Sequence, residues 1–281
     1  MKIAFVTHAA HPDIEDDDRP LAEALARRSA LAISVSWDDP NFDWSAVDLA
    51  LLRSTWDYFR RYEEFLGWLA RVERVTRVIN SPEVVRWNAN KRYLSDLTAR
   101  GVPTVPTAFI ARDQIVSLET LCADRGWGDV VLKPAVSANS WETVLIGTRG
   151  RADGQAYLER HLRDREIMVQ PFLTDVNEGG EQSLMFFGGR YSHGIKKTSP
   201  FREGPRFEPE GIPIEPREDA IDMAHDVLVR AGLPEIPYAR VDLARDEEGL
   251  PVLLELELFE PTLFFREKPG SEKRLVDILL A

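Results

Sequence analysis

The sequence predicts a fold of mixed class, with an α/β domain at the N-terminal end and α+β structure in the remainder. Strand-like and helix-like segments alternate over the first 80 residues, and this order is lost after residues 80–82. The last third instead contains pairs of closely spaced strands. At 281 residues the chain exceeds one small domain, so we expect two or three subdomains.

The N-terminal segments have the pattern of a doubly wound parallel sheet. Short apolar runs predict strands at residues 3–7, 32–36, 49–53 and 77–79. Helical spacing is found at residues 19–28, where Pro20 suits the first turn, and at residues 59–72. Strands that are separated by helices indicate a parallel sheet.

The remaining segments follow a different order. A helix over residues 90–100 is expected to end at Gly101. Further strands are predicted at residues 107–110, 130–133, 143–146, 167–170, 183–187 and 191–196, and further helices at 117–124, 154–163, 218–231 and the C-terminal end. Residues 199–216 are rich in proline and glycine and long for a loop, which favours a functional lid.

Composition excludes several classes of protein. The net charge of −12 argues against a nucleic-acid partner, which would call for a basic surface. The single cysteine, Cys122, excludes internal disulfides and fits a reducing cytoplasm. No apolar run has the length of a signal peptide or a membrane span, so we expect a cytoplasmic globular protein with no membrane partner. A homodimer is one alternative for its oligomeric state.

An acidic hairpin carries the strongest chemical signal. Glu255 and Glu257 lie in the apolar run 253–258, and Asp242 lies in the preceding run 238–243. Side chains two apart on a strand share a face, and folding the hairpin brings Asp242 opposite Glu255. Such oxygen ligands suit Mg²⁺ or Mn²⁺ shared with substrate phosphates. The alternative is an acidic surface hairpin, which the interleaved leucines disfavour.

Basic residues could bind the phosphate groups that such a metal ion would share. Lys133 ends a buried apolar strand, and the small-residue loop after it, with Ser137, could offer backbone N–H groups to phosphate. A strand-end lysine that reaches water is an equally good interpretation. Arg240 shares a strand face with Asp242 and could serve phosphate or only an ion pair. Of Lys196 and Lys197, one alone can face inward.

The order of these residues resembles that of the ATP-grasp ligases, in particular the glutathione-synthetase-like branch. The resemblance runs from about residue 87 to residue 265, with a matching N-terminal domain. It implies a Rossmann-like substrate domain over residues 1–82, a first ATP-grasp lobe over 83–172 and a second lobe with the metal site over 173–281. ATP would lie between the two α+β lobes.

The same resemblance implies roles for single residues. Lys91 and Lys133 match the phosphate-binding lysines, residues 170–173 match the adenine-binding segment, and Glu181 matches the acid that binds the ribose. The predicted ATP-binding residues are Lys91, Lys133, Ser137, Gln170, Phe172, Leu173, Glu181 and Lys197. The predicted catalytic residues are Arg240, Lys133 and Lys197, and the predicted metal ligands are Asp242, Glu255 and Glu257. The family commonly has asparagine where this chain has Glu257, which adds a negative charge at the metal.

A narrower resemblance is to the small ATP-grasp enzymes of the D-cycloserine pathway, of the O-ureido-D-serine cyclo-ligase type. Its motifs lie at residues 53–58, 87–88, 103–107 and 257–261. It implies substrate contacts from Arg53, Ser54, Asp57 and Glu260. Arg53 follows a strand at the carboxyl end of a sheet, where it could clamp a substrate carboxylate. The alternative is a surface ion pair between Arg53 and Asp57.

Histidines offer weaker signals. His8 and His11 follow the first strand with Asp13 nearby, but a metal site there lacks a third well-placed ligand. A substrate-binding or solvated loop is the favoured interpretation. His193 could face the nucleotide or pack in the interior. No serine–histidine–acid order indicates a hydrolase.

These residues together predict an ATP-dependent carboxylate–nitrogen ligase. A small amino-acid-like carboxylate would be phosphorylated by ATP with Mg²⁺, and a nitrogen would then displace phosphate from the acyl phosphate. An intramolecular cyclo-ligase is the favoured form. The alternatives are an intermolecular amino-acid or peptide ligase and a non-catalytic ATP-binding regulatory protein.

Overall fold

The computed structural model describes residues 1–178, 180–197 and 211–281. Most of the predicted lid, residues 199–216, therefore lies outside the described residues. The chain forms three sheets. They fall in turn within residues 1–82, 83–172 and 173–281. The boundaries of the subdomains remain predictions. No helix within the described parts of the chain is long and apolar enough to cross a membrane.

The first sheet is parallel, as the alternating pattern predicts. The elements are β1 (Lys2–Thr7), α1 (Arg19–Arg27), β2 (Leu31–Ser36), β3 (Leu49–Leu52), α2 (Tyr62–Val72), β4 (Arg77–Ile79) and α3 (Pro82–Asn88). The strands lie in the order β2–β1–β3–β4. Alternate residues of β1 pack on opposite faces, Phe5 with Leu25 of α1 and Val6 with Phe65 of α2. Both faces of the sheet are thus covered by helices.

Helix α3 was not predicted. Residues 80–82 interrupt the alternating pattern of strands and helices, but in the structure they begin a helix. The Ser81 hydroxyl accepts a hydrogen bond from the Val84 backbone N–H (3.4 Å), and Pro82 occupies the first turn. Proline suits this position because its missing N–H would have had no partner there.

The second sheet is antiparallel. Its part of the chain contains α4 (Tyr93–Ala99), β5 (Ala108–Ile110), α5 (Leu118–Arg125), β6 (Val130–Pro134), β7 (Val144–Ile146), α6 (Arg151–His161) and β8 (Ile167–Pro171). The strand order is β5–β8–β6–β7. Helix α4 begins at Tyr93, later than predicted, and the Lys91 N–H upstream donates to the Ala135 carbonyl (2.8 Å) just beyond β6. This contact holds Lys91 beside the end of the strand that carries Lys133.

The third sheet has five antiparallel strands. The elements are α7 (Asp175–Glu178), β9 (Glu181–Phe187), β10 (Arg190–Lys197), β11 (Ile212–Ile214), α8 (Glu218–Arg230), β12 (Tyr238–Arg245), β13 (Pro251–Glu257) and α9 (Glu272–Leu280). The order is β11–β10–β9–β12–β13. Strand β11 lies inside the predicted loop, where it was not expected. It is a short edge strand, a position in which Pro213 is tolerated.

The central strands of the third sheet are buried on both faces. Phe187 of β9 packs with Phe5 of the first sheet, whereas Phe186 packs with Leu228 of α8 and with Tyr93 of α4. Strand β12 is buried over nearly its whole length. Polar side chains on β12 are therefore held in the interior, which fixes the position of the candidate site.

Candidate active site

A cavity of about 250 Å³ lies between the second and third sheets. Residues of β6, β8, β9, β10, β12 and β13 all line it. The predicted site residues that line it are Lys91, Lys133, Ser137, Gln170, Phe172, Leu173, Glu181, Lys197, Arg240, Asp242, Glu255, Glu257 and Glu260. Thirteen of the sixteen predicted residues are thus brought together, although they come from distant parts of the chain.

The acidic hairpin has the predicted register. Asp242 of β12 pairs directly with Glu255 of β13, and Arg240 pairs with Glu257. The register shifts only beyond Asp242, where a bulge leads into the rest of the hairpin. Glu255 and Glu257 both line the cavity, as their spacing predicts.

Two basic side chains neutralise the acids nearest β12. The Arg240 Nε is 2.9 Å from Asp242 Oδ1, and its Nη2 contacts Glu257. The Lys197 Nζ is 3.1 Å from Asp242 Oδ2 and also contacts Glu181. Burial disfavours the charge of Asp242, but Arg240 and Lys197 outweigh it and hold the pKa of this carboxyl below its ordinary value. Burial raises the pKa of Glu181 to about 7, against the opposing effect of Lys197.

Two lysines converge on Glu255. The Lys91 Nζ is 3.1 Å from Glu255 Oε1 and donates to the Ser137 carbonyl (2.6 Å), while the Lys133 Nζ is 3.8 Å from Glu255 Oε2. Burial lowers the pKa of Lys133. Burial also opposes the charge of Glu255, but the two lysines lower the pKa of its carboxyl overall. The interpretation of Lys133 as a strand-end lysine that reaches water is therefore wrong, since its ammonium is directed into the cavity.

The three carboxylates offer the type of ligand atom that a hard divalent cation prefers, but each of them contacts a lysine or arginine in this structure. Asp242, Glu255 and Glu257 offer only oxygen ligands from facing strands, the donor type that Mg²⁺ prefers. Within residues 1–178, 180–197 and 211–281, no three histidine, cysteine, aspartate or glutamate side chains are grouped around one metal position. To bind the cation, each carboxylate would have to release the lysine or arginine that it contacts in this structure.

The cavity also has apolar lining residues, which include Val105, Val131, Leu173 and Val176. The side chain of Gln170, another lining residue, donates through Nε2 to the Thr107 hydroxyl (2.9 Å). In the predicted adenine-binding segment, residues 170–173, the Phe172 N–H donates to the Asp129 carbonyl (2.8 Å).

Three predicted substrate residues, Arg53, Ser54 and Asp57, do not line the cavity. Arg53 is only 2% exposed. Its Nε lies 3.0 Å from Asp18 Oδ1, and its Nη2 donates to the Pro261 carbonyl (2.8 Å). These contacts occupy its guanidinium, so the prediction that Arg53 binds a substrate carboxylate in the cavity is wrong.

The alternative surface pair between Arg53 and Asp57 is also wrong. Asp57 instead accepts hydrogen bonds from the Trp37 indole (2.8 Å) and from Arg61 (3.0 Å).

Trp56 lines the cavity and was not predicted as a site residue. Its Nε1–H donates to the Glu260 carbonyl (3.1 Å), which joins the first sheet's domain to the segment after β13. The signal for it was present in the sequence, because Trp56 follows β3 at the carboxyl end of a parallel sheet, where α/β proteins bind ligands.

The Glu260 side chain lines the same cavity. Burial, followed by the charge of Glu257, raises the pKa of the Glu260 carboxyl well above its ordinary value.

His8, His11 and His193 are not among the residues that line the cavity. His8 Nδ1 is 2.8 Å from the Ser54 carbonyl, and the His8 and His11 rings stack at 4.9 Å. Both rings pack edge-on against Trp56. His193 packs in the interior, with Nε2 3.0 Å from the Leu263 carbonyl, and it does not line the cavity.

Known proteins match this chain over most of its length. Residues 3–80 match the family model described as the N-terminal domain of D-cycloserine synthetase DcsG. The chain is 33% identical over 278 residues to the cycloserine biosynthesis protein DcsG of Streptomyces lavendulae. The matched region covers 93% of this chain and 92% of the relative.

Solved structures give the same result. The crystal structure of D-cycloserine synthetase DcsG superposes with a TM-score of 0.92 at 31% identity, over 99% of this chain and 98% of that one. A RimK domain ATP-grasp protein from Sphaerobacter thermophilus shares the fold, with a TM-score of 0.71 at 19% identity over 100% of both chains. The three sheets and the cavity between the second and third are therefore an ATP-grasp fold, and the chain belongs to the DcsG family of ATP-grasp proteins.

Proposed function

We propose that this protein is an ATP-dependent carboxylate–nitrogen ligase that closes a ring within one small amino-acid-like substrate, of the kind represented by O-ureido-D-serine. The observation that carries the proposal is the convergence of Lys91, Lys133, Lys197 and Arg240 on the paired acids Asp242 and Glu255 in one cavity. ATP-grasp ligases bind ATP, and the DcsG relative is named for cycloserine biosynthesis.

The first step would form an acyl phosphate. A carboxylate oxygen of the substrate attacks the γ-phosphorus of ATP, and the bond from that phosphorus to the oxygen bridging to ADP breaks. Arg240 and Lys133 face the metal end of the cavity from opposite sheets, where they would stabilise the charge that spreads over the transferring group. Lys91 would hold phosphate oxygens, since its ammonium is buried and already directed at an anion.

The second step would form the carbon–nitrogen bond. A nitrogen of the same substrate attacks the acyl carbon, phosphate leaves with the electron pair of the carbon–oxygen bond, and the nitrogen loses its proton. Water must be kept from the acyl phosphate during this step. The enclosed position of the acids between two sheets would serve this purpose.

Asp242, Glu255 and Glu257 would hold Mg²⁺, which supplies charge neutralisation of the phosphate groups when it is bound. Glu257 adds a carboxylate where the family resemblance implies an asparagine. Arg240 contacts this carboxylate directly and offsets its charge. The ATP requirement and the single Cys122 favour the cytoplasm as the location of this protein.

The proposal is tested by incubating the purified protein with ATP, Mg²⁺ and a panel of amino-acid-like carboxylates, including O-ureido-D-serine, while ADP is measured. We expect substrate-dependent ADP release and a product derived from one substrate molecule. A product that joins two substrate molecules would instead identify an intermolecular ligase. No stimulation of ADP release by any carboxylate would contradict the ligase proposal.

A further inference from the structure

The Glu260 carboxylate differs from the other acids of the cavity. Glu181, Asp242, Glu255 and Glu257 each contact a lysine or arginine. Among the described residues, no hydrogen bond or ion pair engages the carboxylate of Glu260. A carboxylate that lines a partly enclosed cavity without a partner is costly, and a cation from outside the protein would relieve that cost.

The segment that carries Glu260 is held firmly in place. Three successive carbonyl groups accept hydrogen bonds from side chains: Glu260 from Trp56 (3.1 Å), Pro261 from Arg53 (2.8 Å) and Thr262 from Arg240 (3.3 Å). Arg53 is itself buried against Asp18. Glu260 is thus presented to the cavity by a fixed backbone, which is what a recognition residue requires.

The neighbourhood of Glu260 suits an organic cation. Trp56 lines the cavity, and its indole is fixed by the hydrogen bond to the Glu260 carbonyl. An indole beside a carboxylate offers both cation–π attraction and charge pairing to an ammonium group. The basic residues of the cavity contact its other acids, which leaves the Glu260 carboxylate for a cation from outside the protein.

The chemistry of an amino acid matches this arrangement. The reacting carboxylate must lie near Arg240, and the α-ammonium group is attached to the adjacent carbon. The residue that binds the α-ammonium group must therefore lie close to the predicted metal ligands without being one of them. Glu260 meets this requirement, because it lines the same cavity as the three acids and its carbonyl accepts from Trp56 of the first sheet's domain.

We propose that the carboxylate of Glu260, together with the indole of Trp56, binds the α-ammonium group of the substrate and selects α-amino acids over carboxylic acids that lack this group. This inference rests on the proposed ligase function. It assigns specificity to Glu260 and leaves phosphoryl transfer to the basic residues and the metal acids.

The test compares two compounds that differ only in the ammonium group: O-ureido-D-serine and 3-(ureidooxy)propanoate. Calorimetry in the presence of Mg²⁺ and a non-hydrolysable ATP analogue gives the dissociation constant of each, and ADP release gives each kcat/KM. We expect Glu260→Gln to lower the preference for the amino compound by about 10- to 100-fold, the worth of a hydrogen bond to a charged group. The affinity for the ATP analogue should be unchanged.

Control variants separate recognition from folding. Glu247→Gln changes an exposed acid in the hairpin turn and should leave the preference intact. Trp56→Phe keeps an aromatic ring but removes the indole donor, and it should lower the preference to a smaller degree. If Glu260→Gln does not fold, as judged by thermal melting, Glu260→Asp keeps the charge on a shorter side chain and should weaken binding of the amino compound alone.

Two results would overturn the inference. One is an unchanged preference in the folded Glu260 variant. The other is a raised Mg²⁺ requirement with the preference retained, which would make Glu260 a metal ligand. Because calorimetry does not need turnover, an inactive wild-type protein would contradict the ligase function while the ammonium site is still decided by binding.

Discussion

Asp242 and Glu255 are direct cross-strand partners in the pairing of β12 with β13. Their carboxylates are therefore placed by strand register and not by a loop. Arg240 faces Glu257 in the same pairing, so the two cross-strand pairs together carry one arginine and three carboxylates. A single two-stranded ribbon thus carries both the arginine and the acids of the candidate phosphoryl-transfer site.

Replacing Glu255 tests the metal assignment. We expect Glu255→Gln to lower kcat for ADP formation by at least about 10²-fold, because the amide cannot neutralise the cation that shields phosphate. The protein should remain folded, because the amide oxygen of the replacement can still accept from Lys91, whose Nζ also donates to the Ser137 carbonyl. Steady-state kinetics over a Mg²⁺ series provides the measurement. The exposed Glu247→Gln is the matched control, and normal turnover by Glu255→Gln would show that the three-acid assignment is wrong.

The adjacent lysines of β10 form a matched pair. Lys197 lines the cavity and contacts Asp242 and Glu181, whereas Lys196 is not among the lining residues. We expect Lys197→Ala to lower kcat/KM for ATP by about 10- to 100-fold, the effect of losing a charge-assisted hydrogen bond. Lys196→Ala should stay within about twofold of the wild type, as expected for a change outside the cleft. Equal effects from the two variants would contradict the assignment of Lys197.

Glu181 should leave a signature in the pH dependence of stability. Its pKa in the folded protein is about 7, above the ordinary value of 4.5, so the folded state holds this proton more tightly than the unfolded state. The wild-type free energy of unfolding should therefore fall relative to Glu181→Gln as pH rises from 4.5 to 7. The relative change should reach up to about 3 kcal/mol.

Urea unfolding of both proteins across this pH window measures the difference. A difference that stays constant, or a relative gain for the wild type as pH rises, would contradict the raised pKa of Glu181.

The buried pair of Arg53 and Asp18 should stabilise the junction between the first sheet's domain and the segment after β13. Both side chains are at most 5% exposed. Removing one partner leaves an uncompensated buried charge, so we expect Asp18→Ala to lower the free energy of unfolding by about 3 kcal/mol or more. The control is Asp277→Ala at the exposed Arg28 pair, which should cost less than about 1 kcal/mol. Similar losses in chemical denaturation would contradict the structural role given to Arg53.

The sequence predicts those parts of the site that depend on local geometry. The register of the hairpin follows from the alternation of side chains and the position of one turn, so Asp242 and Glu255 could be paired without a structure. The same alternation places Lys196 and Lys197 on opposite faces of their strand. It does not say which of the two faces the cavity until the position of one residue on that strand is known. The alternating N-terminal elements likewise follow from local hydrophobic spacing.

Contacts between distant segments could not be predicted in this way. Arg53 looks like a substrate clamp because it ends a strand, but its partners are Asp18 and the Pro261 carbonyl, from elsewhere in the chain. Trp56 becomes a site residue only when the segment after β13 is brought against the first sheet's domain. The three acids share a face by register, whereas the contacts of Glu255 with Lys91 and Lys133, and of Asp242 with Lys197, depend on residues from distant segments.

The fate of the substrate carboxylate oxygens tests the central claim most directly. Transfer of phosphate to the carboxylate, followed by displacement by nitrogen, must leave one carboxylate oxygen on phosphate. With O-ureido-D-serine labelled by ¹⁸O in its carboxylate, mass spectrometry of the inorganic phosphate should find one labelled oxygen for each ADP formed. Phosphate without label, or label found in AMP, would contradict the acyl-phosphate account of this site.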